Sequence, residues 1–176
     1  MGYGATVYSL DTEKVFNVLK NERNPELEKA IMERCQDSFK VINEMLESSG
    51  ESIRAEELLM QMLSEEIKYS HLGYAYAYLL EAICKITGYY LSNNSWYPCD
   101  VNDFCDIPFT NTDYPIKFPL PDDFPVFFMI KNQDIHQDNV DFGGLSEQQI
   151  SEVKSWYTHA VVNNRDLVLF YCYFNY

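Results

Sequence analysis

Basic residues are scarce in this sequence. It has 13 Lys and Arg against 27 Asp and Glu, which gives a formal net charge of −14. Nucleic-acid affinity depends on Lys and Arg that neutralise phosphates, so DNA and RNA are disfavoured as partners. An anionic membrane surface is disfavoured for the same reason. The charge leaves two interpretations open: a surface that attracts a basic protein, and a surface that only confers solubility.

Long apolar runs are lacking too. The longest, residues 72–80, ends at Glu81 and is much shorter than the about 20 residues that a membrane helix needs. Residues 1–15 contain neither a basic segment nor a continuous apolar segment of the kind that forms a secretory signal. We therefore expect a cytoplasmic protein that is not associated with a membrane.

Thiols and imidazoles are few. The five Cys are odd in number and spread along the chain, which is not a disulfide framework. Cys84 and Cys172 lie in apolar patterns, which is typical of small buried side chains in a reducing compartment. Cys99 and Cys105 are too far apart for a zinc knuckle, and the three His show no metal-binding spacing. We expect neither a metal nor any other cofactor.

The remaining composition is that of a folded domain. A chain of 176 residues with 47% hydrophobic residues can bury a core as one domain. Residues 3–10 are β-branched and aromatic, and residues 167–174 are apolar on both alternating faces, as in a central strand covered on both sides. We predict a single α+β domain over residues 1–176, mostly helical, with a small sheet that includes the N-terminal and C-terminal strands.

Helical spacing occupies most of the chain between those strands. Residues 25–48 read as one long amphipathic helix, with Pro25 in its first turn. The last helix is predicted to begin at a capping box formed by Ser146 and Gln149. The segment from His71 to Leu91 reads as the central helix. It has one apolar face and an opposite stripe of polar side chains: Tyr74, Tyr78, Glu81 and Lys85.

An Asp-rich stretch covers residues 93–142. It contains nine Asp, no Glu, and only Lys117 and Lys131 as bases. Asp, Asn and Pro are typical of turns and caps, so we predict a loop region with an apolar strand at residues 125–130. A loop region this long in a compact domain is usually functional.

The partner-binding residues are expected in this stretch. Aromatic rings alternate there with carboxylates, and an aromatic anchor with a charged rim is a common design of binding hot spots. We predict a partner-binding surface formed by Trp96, Asp103, Asp106, Asp122 and Asp123. The ordinary alternative is that the rings belong to the core and that the two adjacent acids form a solvated turn.

A catalytic alternative centres on the central helix. His71 stands at its start, and a cleft beside His71, Tyr74, Tyr78 and Glu81 would place a base near phenols and a carboxylate. His71 and Glu81 are ten residues apart, nearly three helical turns, so the two side chains are out of mutual reach. No catalytic residue is assigned from the sequence.

Five short blocks stand out in the sequence: residues 3–11 (YGATVYSLD), 71–77 (HLGYAYA), 80–84 (LEAIC), 120–125 (LPDDFP) and 165–171 (RDLVLFY). Together they resemble an uncharacterised family of bacterial cytoplasmic proteins. The blocks span the whole chain. Because that family has no established activity, the resemblance implies a bacterial single-domain protein and transfers no catalytic residue.

These observations favour a binding function. We expect a non-enzymatic acidic protein that captures a basic protein partner, as an immunity or toxin-neutralising protein does, because opposite charges accelerate encounter.

Overall fold

The structure is a computed structural model that describes residues 2–19, 24–64, 66–111, 119–136 and 138–174. The described residues form two compact units. The helical unit lies within Thr12–Thr87 and Pro115–Asp123. The sheet unit lies within Met1–Asp11, Gly88–Tyr114 and Phe124–Tyr176.

The described residues of the helical unit form five α-helices: α1 (Thr12–Leu19), α2 (Pro25–Arg34), α3 (Gln36–Ser48), α4 (Ala55–Ser64) and α5 (Gly73–Thr87). The central helix α5 packs against α3 and α4. Its predicted faces are confirmed, because Ala75, Tyr76 and Leu79 are buried whereas Tyr74 and Tyr78 are only partly buried. Amphipathic spacing therefore identified the core face of α5 correctly. The predicted end of this helix at Leu91 is wrong, because α5 ends at Thr87 and Tyr89–Tyr90 form a strand.

The prediction of one helix over residues 25–48 is wrong, because the chain forms α2 and α3 with a break at Cys35. Cys35 has φ −82° and ψ 4°, and its amide still donates to the Ile31 carbonyl oxygen at 2.9 Å. Its side chain is buried, as are those of Ile31 and Phe39, four residues away on either side. The apolar stripe thus continues through the break, so periodicity did not reveal it.

The part of the sheet unit that the structure describes forms four strands, β1 (Gly2–Leu10), β2 (Tyr89–Tyr90), β3 (Val126–Ile130) and β4 (Asp166–Phe174), in the antiparallel order β2-β1-β4-β3. The terminal strands β1 and β4 pair along their whole length, from Gly2 opposite Phe174 to Leu10 opposite Asp166. The predicted α+β class, with both terminal strands in one small sheet, is confirmed. The predicted strand in the Asp-rich stretch is confirmed as β3.

Two further helices, α6 (Val101–Cys105) and α7 (Glu147–Asn163), complete the sheet unit. In its core, one face of the sheet packs against aromatic side chains from these helices and the connecting loops. The sheet contributes Ala5, Val7, Leu169 and Tyr171, and the helices and loops contribute Trp96, Phe104, Trp156 and Tyr157. Residues on the other face, such as Tyr8 and Phe170, are also buried. The prediction that β4 is covered on both faces is confirmed.

Irregular chain covers the outer edge of β1 beyond the short strand β2. The carbonyl oxygens of Tyr3 and Val7 accept hydrogen bonds from the amides of Cys99 and Leu91, at 3.1 and 2.9 Å. The Asn93 side-chain amide donates to the Ala5 carbonyl oxygen. Alternate carbonyl groups of this edge are thereby satisfied without a long partner strand, which protects the edge from pairing with another chain.

Candidate functional site

The candidate site is the N-terminal end of α7 and the adjoining α6. Ser146 is the N-cap of α7. Its backbone amide donates to the side-chain Oε1 atom of Gln149 at 2.9 Å, and its hydroxyl accepts from the backbone amide of Gln149 at 3.3 Å. This reciprocal pair is the predicted capping box, which is confirmed. It fixes the direction in which α7 leaves the preceding glycine turn.

A second capping box starts α6. The Asp100 carboxylate accepts from the Asn102 amide at 2.8 Å, and the Asp103 Oδ2 atom accepts from the Asp100 amide at 3.2 Å. The same Oδ2 atom lies 3.4 Å from Gln149 Nε2. Asp103 therefore links the capping boxes of α6 and α7, and its carboxylate is held in a fixed position.

Asp106 is held by the turn that precedes α7. Its Oδ2 atom accepts from the Gly144 amide at 2.9 Å, while Asp141 Oδ1 accepts from the Gly143 amide at 3.0 Å. Gly143 has φ +57°, and a Cβ atom there would lie 2.7 Å from Asp106 Cγ. The turn needs glycine both for its backbone conformation and for the space that the carboxylate occupies.

We call Asp103, Asp106, Asp141 and Glu147 the acidic surface. Asp106, Asp141 and Glu147 are exposed, and Asp103 is partly buried. Among the described residues, the hydrogen bonds of Asp103, Asp106 and Asp141 use one oxygen of each carboxylate. The second oxygen of each accepts no hydrogen bond from the described residues.

The acidic imbalance is concentrated in the sheet unit, whose sequence contains 11 acidic and 3 basic residues, against 16 and 10 in the helical unit. Two of the three basic residues of the sheet unit, Lys131 and Lys154, contact other side chains. Lys131 pairs with Asp166 at 3.1 Å, and Lys154 lies 5.5 Å from the ring centroid of Phe142. The sheet unit as a whole therefore has few basic residues to offset its carboxylates.

Burial and nearby negative charge both raise the pKa values of two side chains close to this surface, Cys99 and Tyr171. Burial raises the pKa of the Cys99 thiol to about 12, with a further upward contribution from Asp103 and Asp100. Burial likewise raises the pKa of Tyr171 to about 12, and the same two carboxylates add to the shift. Both shifts favour the neutral form, so Cys99 and Tyr171 are uncharged at neutral pH.

The predicted partner-binding residues separate into three groups. Asp103 and Asp106 lie in the acidic surface. Asp122 and Asp123 are exposed, but they belong to the helical unit. Trp96 is 0% exposed and packs against Phe104 and Trp156 in the core, so its ring supports the surface from beneath. Asp113 and Lys117 of the Asp-rich stretch lie outside the described residues.

The residues of the catalytic alternative all lie in the helical unit. His71 Nε2 is 3.0 Å from Glu51 Oε1, and its side chain is exposed. Tyr74, Tyr78 and Glu81 lie partly buried on α5, and the Tyr74 hydroxyl is a buried atom without a hydrogen-bond partner among the described residues. The carboxylate partner of His71 is thus Glu51 from the loop before α4, which sequence reasoning did not identify.

Sequence reasoning also missed three contributors to the surface of the sheet unit. Glu147 followed the predicted N-cap, and an acid in the first turn of a helix is a readable signal. Asp141 lay within the Asp-rich stretch predicted to face a partner but was not singled out, although the glycine pair two residues later indicates a turn. Tyr89 gave no such signal, because its place on this surface depends on stacking against His159, which lies 70 residues later in the sequence.

Among the described residues, no group of His, Cys, Asp and Glu side chains is arranged to hold a metal ion. Within the same part of the chain, none of the helices has the length and apolar character needed to cross a membrane.

Comparison with known proteins identifies a family. No curated protein and no solved structure matches the chain. A family model described as a domain of unknown function (DUF7691) matches residues 1–172, and the chain therefore belongs to the DUF7691 family.

Proposed function

We propose that this protein is a non-enzymatic binding protein of the bacterial cytoplasm, which captures a basic protein through its acidic surface in the manner of an immunity or toxin-neutralising protein. The observation that carries the proposal is the fixed position of its carboxylates. Asp103, Asp106 and Asp141 are each held by backbone or side-chain donors, and among the described residues the second oxygen of each accepts no hydrogen bond.

Preorganisation distinguishes this surface from acids that only solubilise. A flexible surface Glu must lose side-chain entropy when a partner orders it, at a cost of roughly 1 kcal/mol per side chain. Carboxylates that are already ordered avoid most of that cost. They also concentrate negative potential in one region, which raises the association rate of a positively charged partner.

The test compares association rates of two charge-matched variants. The first is D103N/D106N/D141N, in which each Asn keeps an oxygen that can accept the existing hydrogen bond. The second is E13Q/E44Q/E57Q, which removes the same charge from exposed helical positions of the helical unit. The partner is recovered by pull-down from the native host, and its association rate is measured at increasing salt concentration.

We expect the first variant to bind the partner at least about tenfold more slowly at low salt, with a flatter salt dependence. The second variant should keep most of the wild-type rate, because its charges lie outside the acidic surface. Equal effects of the two variants would show that only total charge matters, and an unchanged rate in the first would exclude this surface.

A catalytic function is the second candidate, and the pair of His71 and Glu51 favours it. An exposed imidazole oriented by a carboxylate at 3.0 Å has the arrangement of a general base. The test is turnover of chromogenic ester, amide, phosphoester and glycoside substrates by the wild type and by H71A. Turnover that requires His71 would support the enzyme, and the binding proposal predicts none.

A further inference from the structure

Beside the acidic surface, the sheet unit exposes a group of large apolar side chains. Tyr89 and Tyr90 of β2 are 65% and 51% exposed, and Val162 near the end of α7 is 77% exposed. Val162 follows His159 by three residues, so the two side chains are neighbours on one helix face. We call Tyr89, Tyr90, His159 and Val162 the tyrosine patch.

The patch is ordered by its contacts. The Tyr89 ring stacks on His159 with centroids 5.1 Å apart and an interplanar angle of 16°. The Tyr90 hydroxyl donates to Asn93 Oδ1 at 2.5 Å, and its ring meets Tyr8 edge-on at 5.8 Å. Exposed rings that are already fixed lose little entropy on binding, as is typical of interface anchors.

The tyrosine patch and the acidic surface are connected by the same segment, residues 89–103, which packs along α7. The chain from residue 89 to residue 103 runs beside α7 in the opposite direction, and its contacts follow one order: Tyr89 with His159, Ser92 with Trp156, Asn94 and Ser95 with Glu152, and Asp103 with Gln149. His159 lies 12 residues after Glu147, which is about 18 Å along the helix. Both surfaces therefore fit within one interface of ordinary size.

We propose that the tyrosine patch is the apolar half of the same interface, and that it binds an aliphatic or aromatic side chain of the basic protein captured by the acidic surface. This inference rests on the proposed function. Charge argues against a second copy as the occupant, because the sheet unit carries a net charge of −8 from 11 acids and 3 bases, and two such units repel each other.

The two halves have different physical roles. Long-range attraction by the acidic surface sets the association rate, whereas an apolar contact excludes water only after docking and therefore slows dissociation. A partner with positive charge but no apolar side chain would bind weakly and lose its binding in salt. A partner with both features would retain binding at physiological salt.

The experiment uses two synthetic peptides as probes, a lysine–glycine repeat and the same repeat with leucine in place of two glycines. Binding of each is measured to the wild type, to Y89A/Y90A, to the conservative variant Y89F/Y90F, and to V41A/M60A, which removes exposed apolar side chains of the helical unit. Circular dichroism melting confirms that each variant folds.

We expect the leucine peptide to bind the wild type about tenfold more tightly than the lysine–glycine peptide, through slower dissociation. Y89A/Y90A should abolish that difference, whereas Y89F/Y90F and V41A/M60A should keep it. The salt dependence of the lysine–glycine peptide should stay the same in all four proteins.

The possible failures are distinguishable. If both peptides bind the wild type equally, the tyrosine patch is not part of the interface, and the proposed function stands. If neither binds at low salt, the proposed function and this inference both fall. If Y89A/Y90A instead abolishes self-association of the wild type in sedimentation experiments, the patch is an interface between copies and the inference is overturned.

Discussion

At the scale of single residues, Gly73 shows how closely two backbones approach in the helical unit. A Cβ atom at this position would lie 2.5 Å from the Leu120 carbonyl oxygen and 2.8 Å from the Pro121 nitrogen. Backbone atoms cannot move aside as a side chain can. The start of α5 therefore tolerates no side chain at Gly73, although its own backbone conformation is ordinary.

We expect G73A to destabilise the protein by about 1–3 kcal/mol, the usual cost of overpacking a rigid site. Urea unfolding measures the change. The control is G50A, where φ is +80° and nothing lies within 4 Å of the added Cβ atom, so only backbone strain of about 1 kcal/mol is expected. A smaller effect of G73A than of G50A would contradict the close approach.

The five thiols differ in environment. Cys105 is exposed, whereas Cys35, Cys84 and Cys172 are buried and Cys99 is partly buried. Burial raises the pKa of Cys35 to about 11 and that of Cys99 to about 12, in both cases as the largest cause. At neutral pH these thiols are protonated, and the protonated thiol is not the nucleophile.

A disulfide reagent at pH 8 should therefore label one thiol quickly and the others slowly. C105S should remove the fast phase, and unfolding in urea should make all five wild-type thiols reactive. Labelling of Cys35 in C105S should accelerate as pH rises from 9 to about 11, because its raised pKa delays formation of the thiolate. Two fast thiols in the native protein would contradict the described burial.

At the scale of secondary-structure elements, α7 contributes Glu147 to the acidic surface and His159 and Val162 to the tyrosine patch, so the cap that starts it matters. The sequence pattern of Ser146 and Gln149 was sufficient to predict this cap, because a capping box depends only on residues three apart. The contacts of α7 with residues 89–103 were not predictable, because they join positions about 46–70 residues apart.

S146A should destabilise the protein by about 1 kcal/mol, since the Gln149 amide loses its acceptor. The measurement is chemical unfolding monitored by circular dichroism. S151A is the matched control, because Ser151 is exposed on the same helix and its removal should change stability by less than about 0.5 kcal/mol. Equal effects of the two substitutions would mean that the cap does not stabilise α7.

At the scale of the whole molecule, net charge is the dominant feature. A formal charge of −14 on 176 residues disfavours the folded state through self-repulsion. Salt screens that repulsion, because the Debye length falls from about 30 Å at 0.01 M to about 8 Å at 0.15 M ionic strength. Stability at neutral pH should therefore depend on salt concentration.

Raising sodium chloride from about 0.01 M to about 0.15 M at pH 7 should increase the thermal midpoint by about 3 °C, which corresponds to about 1 kcal/mol for a chain of this size. The control is the same series near pH 4.4, the sequence pI, where net charge is small and the increase should disappear. A midpoint that is independent of salt at pH 7 would show that ion pairing already compensates the excess of acids.

The sequence by itself determined what local order and composition control: the acidic charge, the two apolar terminal strands, the faces of α5 and the cap of α7. Each follows from side-chain spacing within a few residues. Only the tertiary structure decided that Trp96 is core, that Glu51 pairs with His71, that Asp106 holds the Gly144 amide, and that Tyr89 stacks on His159. Those contacts join residues that are distant along the chain, and they depend on how the folded elements pack.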